Sequence, residues 1–234
     1  MIPFDFTTTA TNRIDIVEHC YASFHKNLEW VDWNNSTLLI NIDPVPLGIN
    51  ASNFMDMCSK YFGQVIINIP DKPNYTQAYK WVYRKANSKL IFNLEDDFIL
   101  TRKVDVRALV EYFNQNKELY SVSLRVYPWH YQSIPTSPQI LHKRFYKIVG
   151  EGLDPKINPE VQLRGSKWGL KMPTFREGYG PKISEKGKLV VYPEQGGDHN
   201  CIVKDIGREW SKSRGLLRTK EKKDFVTWER KDNG

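Results

Sequence analysis

The sequence predicts an α/β fold, a mostly parallel sheet covered by helices on both faces. Over residues 1–130, five apolar runs alternate with four segments of helical periodicity. That alternation argues for parallel strands joined by helical crossovers. The fourth run, Leu90-Ile91-Phe92 with Leu94, has the composition of a buried strand and leads into three consecutive carboxylates, Glu95, Asp96 and Asp97. Three acids do not fit inside a hydrogen-bonded core strand, so they mark where the strand leaves the sheet. The bulk composition agrees with a globular protein, at 40% apolar and 26% charged over 234 residues.

Ile2 to Thr7 reads as the first strand, and Thr8 to Arg13 as a small polar turn. Val17, Cys20, Tyr21, Phe24 and Leu28 recur at helical spacing, with Thr11 or Asn12 available as the cap. Thr37 to Asp43 and Pro44 form the second strand, ending on a carboxylate. Ser52 is the expected cap of a helix with Phe54, Met55, Cys58, Tyr61 and Phe62 inward, stopped by Gly63. Gln64 to Pro70 is the third strand. Tyr75, Ala78, Tyr79, Val82, Tyr83 and Ala86 mark the next helix, and Lys89 to Leu100 holds the acidic fourth strand. Val106, Leu109, Val110 and Phe113 give a further helix. Tyr120, Val122, Leu124 and Val126 alternate as a fifth strand.

Beyond Tyr127 the regularity fails. Residues 128–138 carry three prolines around Trp129, His130 and Tyr131, and residues 139–181 are rich in Gly, Pro, Lys and Arg. A last strand is expected over Lys188–Pro193, and Phe225, Val226 and Trp228 suggest a tail that packs back on the body. The division is therefore 1–130 as a nucleotide-binding α/β half and 131–234 as a second half within one domain. Residues 1–140 hold 13 basic and 14 acidic side chains, while residues 141–234 hold 21 and 13. The surplus of +8 in the second half suggests an anionic partner there. Cys20, Cys58 and Cys201 are odd in number and far apart. That fits neither a disulfide framework nor a zinc site and points to a reducing, cytoplasmic setting. No apolar run nears the ~18 residues of a membrane span, and no leader is expected.

Carboxylates clustered at the carboxyl end of a parallel sheet lie where open α/β sheets bind ligands. Their oxygens suit Mg²⁺ or Mn²⁺, ions that usually also reach a substrate phosphate. The Thr8–Arg13 turn, between a strand and a helix N-terminus, suits a nucleotide phosphate, and Arg13 could add a charge-assisted contact.

Taken together, Thr9-Ala10-Thr11-Asn12-Arg13 after the first strand, Asp43 after the second and Leu94-Glu95-Asp96-Asp97 on the fourth resemble the GT-A class of nucleotide-sugar glycosyltransferases. The similarity is to small bacterial and phage-type members and covers residues 2–127. It is looser over 160–210, where Trp168 to Arg176 looks like an acceptor-side segment of that family. The resemblance implies a GT-A, Rossmann-like fold with a basic acceptor region, and a metal-dependent, inverting transfer from a nucleoside-diphosphate sugar, UDP-sugar favoured. It makes Asp97 the metal ligand. Thr8, Thr9, Ala10, Asn12, Arg13, Asp43, Glu95 and Asp96 become donor contacts. Asp205, in Lys204-Asp205-Ile206-Gly207, stands where many members place a late histidine ligand; a helix cap is the other reading of it. An inverting enzyme needs a base for the acceptor hydroxyl. Asp198, preceded by two glycines, and Glu194 are the candidates, with His199 a third.

Lys167, Lys171 and Arg176 interleave with Trp168 and Phe175, a pattern suited to phosphates and exposed bases. Hydroxymethylated phage DNA is the leading acceptor, with a polysaccharide, lipopolysaccharide or protein as alternative. Trp168 reads equally as a base wedge, a sugar platform or a core residue. A metal-dependent nuclease or a nucleic-acid-binding module is the reading from another class. The first lacks a Glu-x-Lys on a neighbouring strand, and the second leaves the carboxylates unexplained.

Overall fold

The computed structural model describes residues 1–44, 50–115, 121–124, 138–163, 202–214, 216–221 and 225–230. Strand β1 (Asp5–Thr11) is followed by helix α1 (Ile14–Asn27) and the short strand β2 (Leu28–Glu29). Strand β3 (Thr37–Asp43), helix α2 (Ala51–Cys58), strand β4 (Gln64–Asn68) and helix α3 (Tyr75–Lys85) come next. Strand β5 (Leu90–Glu95) turns at Asp96 and Asp97 into β6 (Phe98–Leu100), then β7 (Val104–Asp105) and helix α4 (Val106–Gln115). Strands β8 (Ser121–Ser123) and β9 (Gln139–His142) precede helices α5 (Lys143–Gly152) and α6 (Pro159–Leu163). Strand β10 (Val203–Asp205), helix α7 (Gly207–Ser213) and the hairpin of β11 (Leu216–Glu221) and β12 (Phe225–Arg230) complete the described elements.

The central sheet has the order β4-β3-β1-β5-β9-β8. Strands β4, β3, β1 and β5 run parallel, and β9 lies antiparallel between β5 and β8. The α/β architecture is as expected, and β9 is a strand that the sequence reading did not contain. The strand after α4 pairs with β9 and not with β5. Its four residues, Gln139 to His142, are too few to show a period in the sequence.

Alternation along the strands builds a core on each face. Phe6, Leu38, Ile40, Phe92, Leu94 and Ile140 face α1, α2 and α4. There Phe6 stacks between Trp33 and Phe92, with ring centroids 5.0 and 5.5 Å away. Each buried aromatic contributes roughly 2–3 kcal/mol. Leu39, Ile91 and Leu141 face α3 and α5, against Tyr79, Val82, Tyr83 and Tyr146.

Several boundaries differ from expectation. The first strand continues through Thr8–Thr11, because β1 is central and gains ladder partners from both β3 and β5. Arg13 is the N-cap of α1, with no side-chain capping bond, in place of Thr11 or Asn12. Asn50 caps α2, accepting from the Ser52 and Asn53 amides, in place of Ser52. Met57 is buried on α2 where Met55 was expected, because 54, 57 and 58 share one helical face. Gly63 lies five residues past the end of α2, where a Cβ would collide with the Asn34 carbonyl, so close approach and not helix termination needs it. The segment 139–163, read as irregular, holds β9, α5 and α6. The strand expected over 188–193 lies outside the described residues.

Candidate active site at the carboxyl edge of the sheet

Strands β1, β3 and β5 end together, and register decides which side chains meet there. Thr9 stands between Asn41 on β3 and Glu95 on β5, and Thr11 stands opposite Asp43. These residues share one face of the sheet, by the two-residue period of a strand. Thr8 and Ala10 point to the other face, into the core beside Tyr21. The hydroxyls of Thr9 and Thr11 are buried and, among the described residues, have no hydrogen-bond partner. Asn12, between β1 and the helix, is half-buried.

The acidic triplet divides into different environments. Asp96 is 5% exposed and is bound by the Arg13 guanidinium, at 2.8 Å to each carboxylate oxygen. The Thr11 amide also donates to it, at 3.2 Å. Arg13, 6% exposed, reaches on to Asp97 at 3.3 Å. Burial alone would lower the Arg13 pKa, but the Asp96 and Asp97 carboxylates outweigh it and hold the guanidinium above its ordinary value. Arg13 is therefore turned toward the acids, where it offsets part of their charge.

Asp97 is raised above the usual carboxylate range by burial and by Asp96, against the pull of Arg13, with Asp205 raising it further. Glu95 is raised by burial, Asp97, Asp96 and Glu160, with an Asn93 hydrogen bond opposing. Asp43, 8% exposed at the end of β3, is pushed up to about 6, chiefly by burial. Bonds from Asn41 and the Asn74 amide act the other way.

Asp205 comes from a distant part of the chain. Strand β10 pairs antiparallel with β6 and sets Asp205 opposite Phe98, next to Asp97. The Ile206 amide donates to the Asp97 carbonyl at 2.8 Å. Asp205 accepts from the Gly207 amide at 3.0 Å, but Ile206 and not Asp205 is the N-cap of α7, and the Asp205 carboxylate lies 3.8 Å from the Arg208 guanidinium. Gly207 packs on Asp97, where a Cβ would overlap the carboxylate.

No group of three or more His, Cys, Asp or Glu side chains among the described residues is arranged to hold a metal ion by itself. Two neighbouring carboxylates, Asp97 and Asp205, are nonetheless the donor set expected where phosphates complete the coordination of Mg²⁺ or Mn²⁺. The residues present fit such an ion in that shared form.

Sequence reasoning did not single out Asn41, Asn68 or Gly207, and it named Thr11 only within the turn motif and as a helix cap. Asn41 and Asn68 carried a signal, a polar residue inside an otherwise apolar strand. Asp198, Glu194 and His199, and the acceptor residues Lys167, Trp168, Lys171 and Arg176, lie outside the described residues. No helix among the described residues is long and apolar enough to cross a membrane.

No protein-family model and no curated protein matches the sequence. Solved structures do match the fold. TarS of S. aureus aligns over 70% of this chain and 33% of its own, at 8% identity and a TM-score of 0.52. Residues 1–349 of TarS in complex with UDP align over 67% and 51%, at 8% identity and a TM-score of 0.50. A mannosyltransferase from Pyrobaculum calidifontis in complex with GDP-Man and Mn²⁺ aligns over 68% and 50%, at 8% identity and a TM-score of 0.52. The chain thus spans a third to a half of the length of these GT-A-like glycosyltransferases and shares their fold.

Proposed function

We propose that this chain is a metal-dependent glycosyltransferase that moves a sugar from a nucleoside-diphosphate sugar to an acceptor hydroxyl. The observation that carries the reading is the pairing of β10 with β6, which sets Asp205 beside Asp97 at the carboxyl edge of the sheet. A divalent ion held there would supply positive charge to stabilise a nucleoside diphosphate leaving group. Asp97 and Asp205 would hold it. Asp96 and Arg13 form a rigid, internally neutralised base beneath them. Asp43 and the unpartnered hydroxyls of Thr9 and Thr11 supply donor contacts on the same face, with Glu95 and Asn12 at the rim. The two neighbours bound to UDP and to GDP-Man with Mn²⁺ support the donor class by likeness of fold alone.

Residues 1–130 form the donor half in this reading, and residues 131–234 the acceptor half. Asp198 takes the proton of the acceptor hydroxyl, with Glu194 as the other candidate, in an inverting transfer. Lys167, Trp168, Lys171 and Arg176 bind the acceptor. The basic surplus of that half favours a nucleic acid, and hydroxymethylated DNA of a phage offers both the hydroxyl and the phosphates. Catalysis then takes place in the host cytoplasm.

Release of nucleoside diphosphate tests the proposal. Purified protein receives a panel of nucleotide sugars and Mn²⁺, with no acceptor, unmodified DNA or hydroxymethylcytosine DNA. Release that depends on the modified DNA is the expected result. Release with no DNA keeps the transferase and moves the acceptor to a saccharide or protein. Asp97→Asn is expected to lower release at least about a hundredfold while leaving DNA affinity intact. Undiminished release by that variant would overturn the metal assignment.

A further inference from the structure

Asn41 and Asp43 lie two residues apart on β3 and share a face, and Asn68 stands opposite Asn41 on β4. The Asn68 carboxamide donates to Asn41 Oδ1 at 2.5 Å, and Asn41 Nδ2 donates to Asp43 Oδ1 at 3.0 Å. Asn41 is 1% exposed, so water is no alternative partner for it. The chain of bonds has one polarity. An ionised carboxylate only accepts, so Asn41 gives its NH₂ to Asp43 and presents its oxygen, which the Asn68 NH₂ fills. Asn41 and Asn68 also line a cleft of about 250 Å³, together with Asn74, whose backbone N–H reaches Asp43.

We propose that Asn41 and Asn68 are positioning residues that act through Asp43, their relay fixing the plane in which its carboxylate accepts from the donor nucleotide. The functional half of this rests on the reading of Asp43 as a donor contact; the geometric half does not. A carboxylate at the end of a strand is otherwise free to rotate about two torsions. The relay ties Oδ1 to the sheet and so fixes the orientation of the carboxylate. It also favours the ionised form, against burial and the field of Asp96, the charged group that bears on Asp43 and is itself paired with Arg13.

The test is a carbon-detected NMR titration of the Asp43 carboxyl in the metal-free full chain, beside UDP binding from pH 5 to 8. Asn68→Ala sits at the partly exposed end of β4, and Asn41→Leu removes the buried link. Removing a donor from a carboxylate raises its pKa. The Asp43 midpoint is expected to rise by about one pH unit in Asn41→Leu and by about half a unit in Asn68→Ala. UDP binding is expected to be lost at correspondingly higher pH as the pH falls. If Asn41→Leu does not fold, Asn68→Ala decides alone. An unmoved Asp43 midpoint in the folded variants overturns the relay. A raised midpoint with unchanged UDP binding keeps the relay and overturns Asp43 as a donor contact.

Discussion

Asp97 and Gly207 show how much of this site is decided one side chain at a time. Asp97 is partly exposed, with 24% of its side chain accessible, and it is flanked by Asp96, Asp205 and Arg13. Its carboxylate rests on the α-carbon of Gly207, where there is room for hydrogen only. Gly207→Ala must therefore turn the Asp97 carboxylate, while an alanine in the first turn of a helix is itself favourable. The expected outcome is about a tenfold higher Mn²⁺ concentration for half-maximal nucleotide-sugar turnover, with the urea midpoint nearly unchanged. A Mn²⁺ titration beside a urea titration checks it, and equal Mn²⁺ dependence would show that Asp97 does not need its present orientation. Arg13 is a different case. It is buried with Asp96, and such a pair adds little net stability but becomes costly when one partner is lost.

At the level of elements, the decisive piece is the segment that carries Asp205. Helix α7 has only seven residues, too few to be stable alone. It is docked by contacts with the start of α1. The Trp210 indole N–H donates to Asp15 at 2.9 Å, and Arg214 pairs with the same carboxylate at 2.5 Å. The Trp210 ring also lies 4.4 Å from the Arg214 guanidinium and 5.4 Å from that of Arg13. Asp15 thus fastens the segment whose β10 strand delivers Asp205. Removing it with Asp15→Ala is expected to cost the segment about 1 kcal/mol, since the pair is half exposed. Amide exchange of residues 203–214 should then quicken about fivefold, with β1, β3 and β5 unaffected. Uniform quickening would mean that the segment does not open independently.

Across the whole molecule, burial at one edge of the sheet sets a pH dependence. Asp43 rises to about 6, and Glu95 and Asp97 rise above the usual carboxylate range, all with burial as the leading cause. In the unfolded chain these groups titrate near pH 4. Between about pH 4 and pH 6 the folded state therefore binds more protons than the unfolded state, and stability falls as the pH rises. Asp43 alone accounts for roughly 3 kcal/mol of that fall. His25 and His142 have lowered values from burial and act in the opposite sense, but His25 is exposed and His142 only half-buried. Without divalent ions the urea midpoint is expected to be higher at pH 5 than at pH 7. A higher midpoint at pH 7 would show that the carboxylates are not strained in the free protein.

The sequence by itself determined the layers. Apolar runs that alternate with 3.6-residue periods can bury their faces only as strands between helices, so the α/β class and the buried faces of α1 and α3 were legible. So was the place of Glu95, Asp96 and Asp97, because charge has to leave a buried strand. Tertiary structure alone decided register, pairing and partnership. Which of Thr8, Thr9, Ala10 and Thr11 faces the site depends on where β1 ends, and neighbours on both sides extend it to Thr11. That Arg13 serves Asp96, that Asn68 reaches Asp43 through Asn41, and that Asp205 lies beside Asp97 are contacts between residues 27 to 108 positions apart. Local propensity and spacing act over a few residues, whereas these contacts form only once packing of the sheet brings distant buried polar groups together.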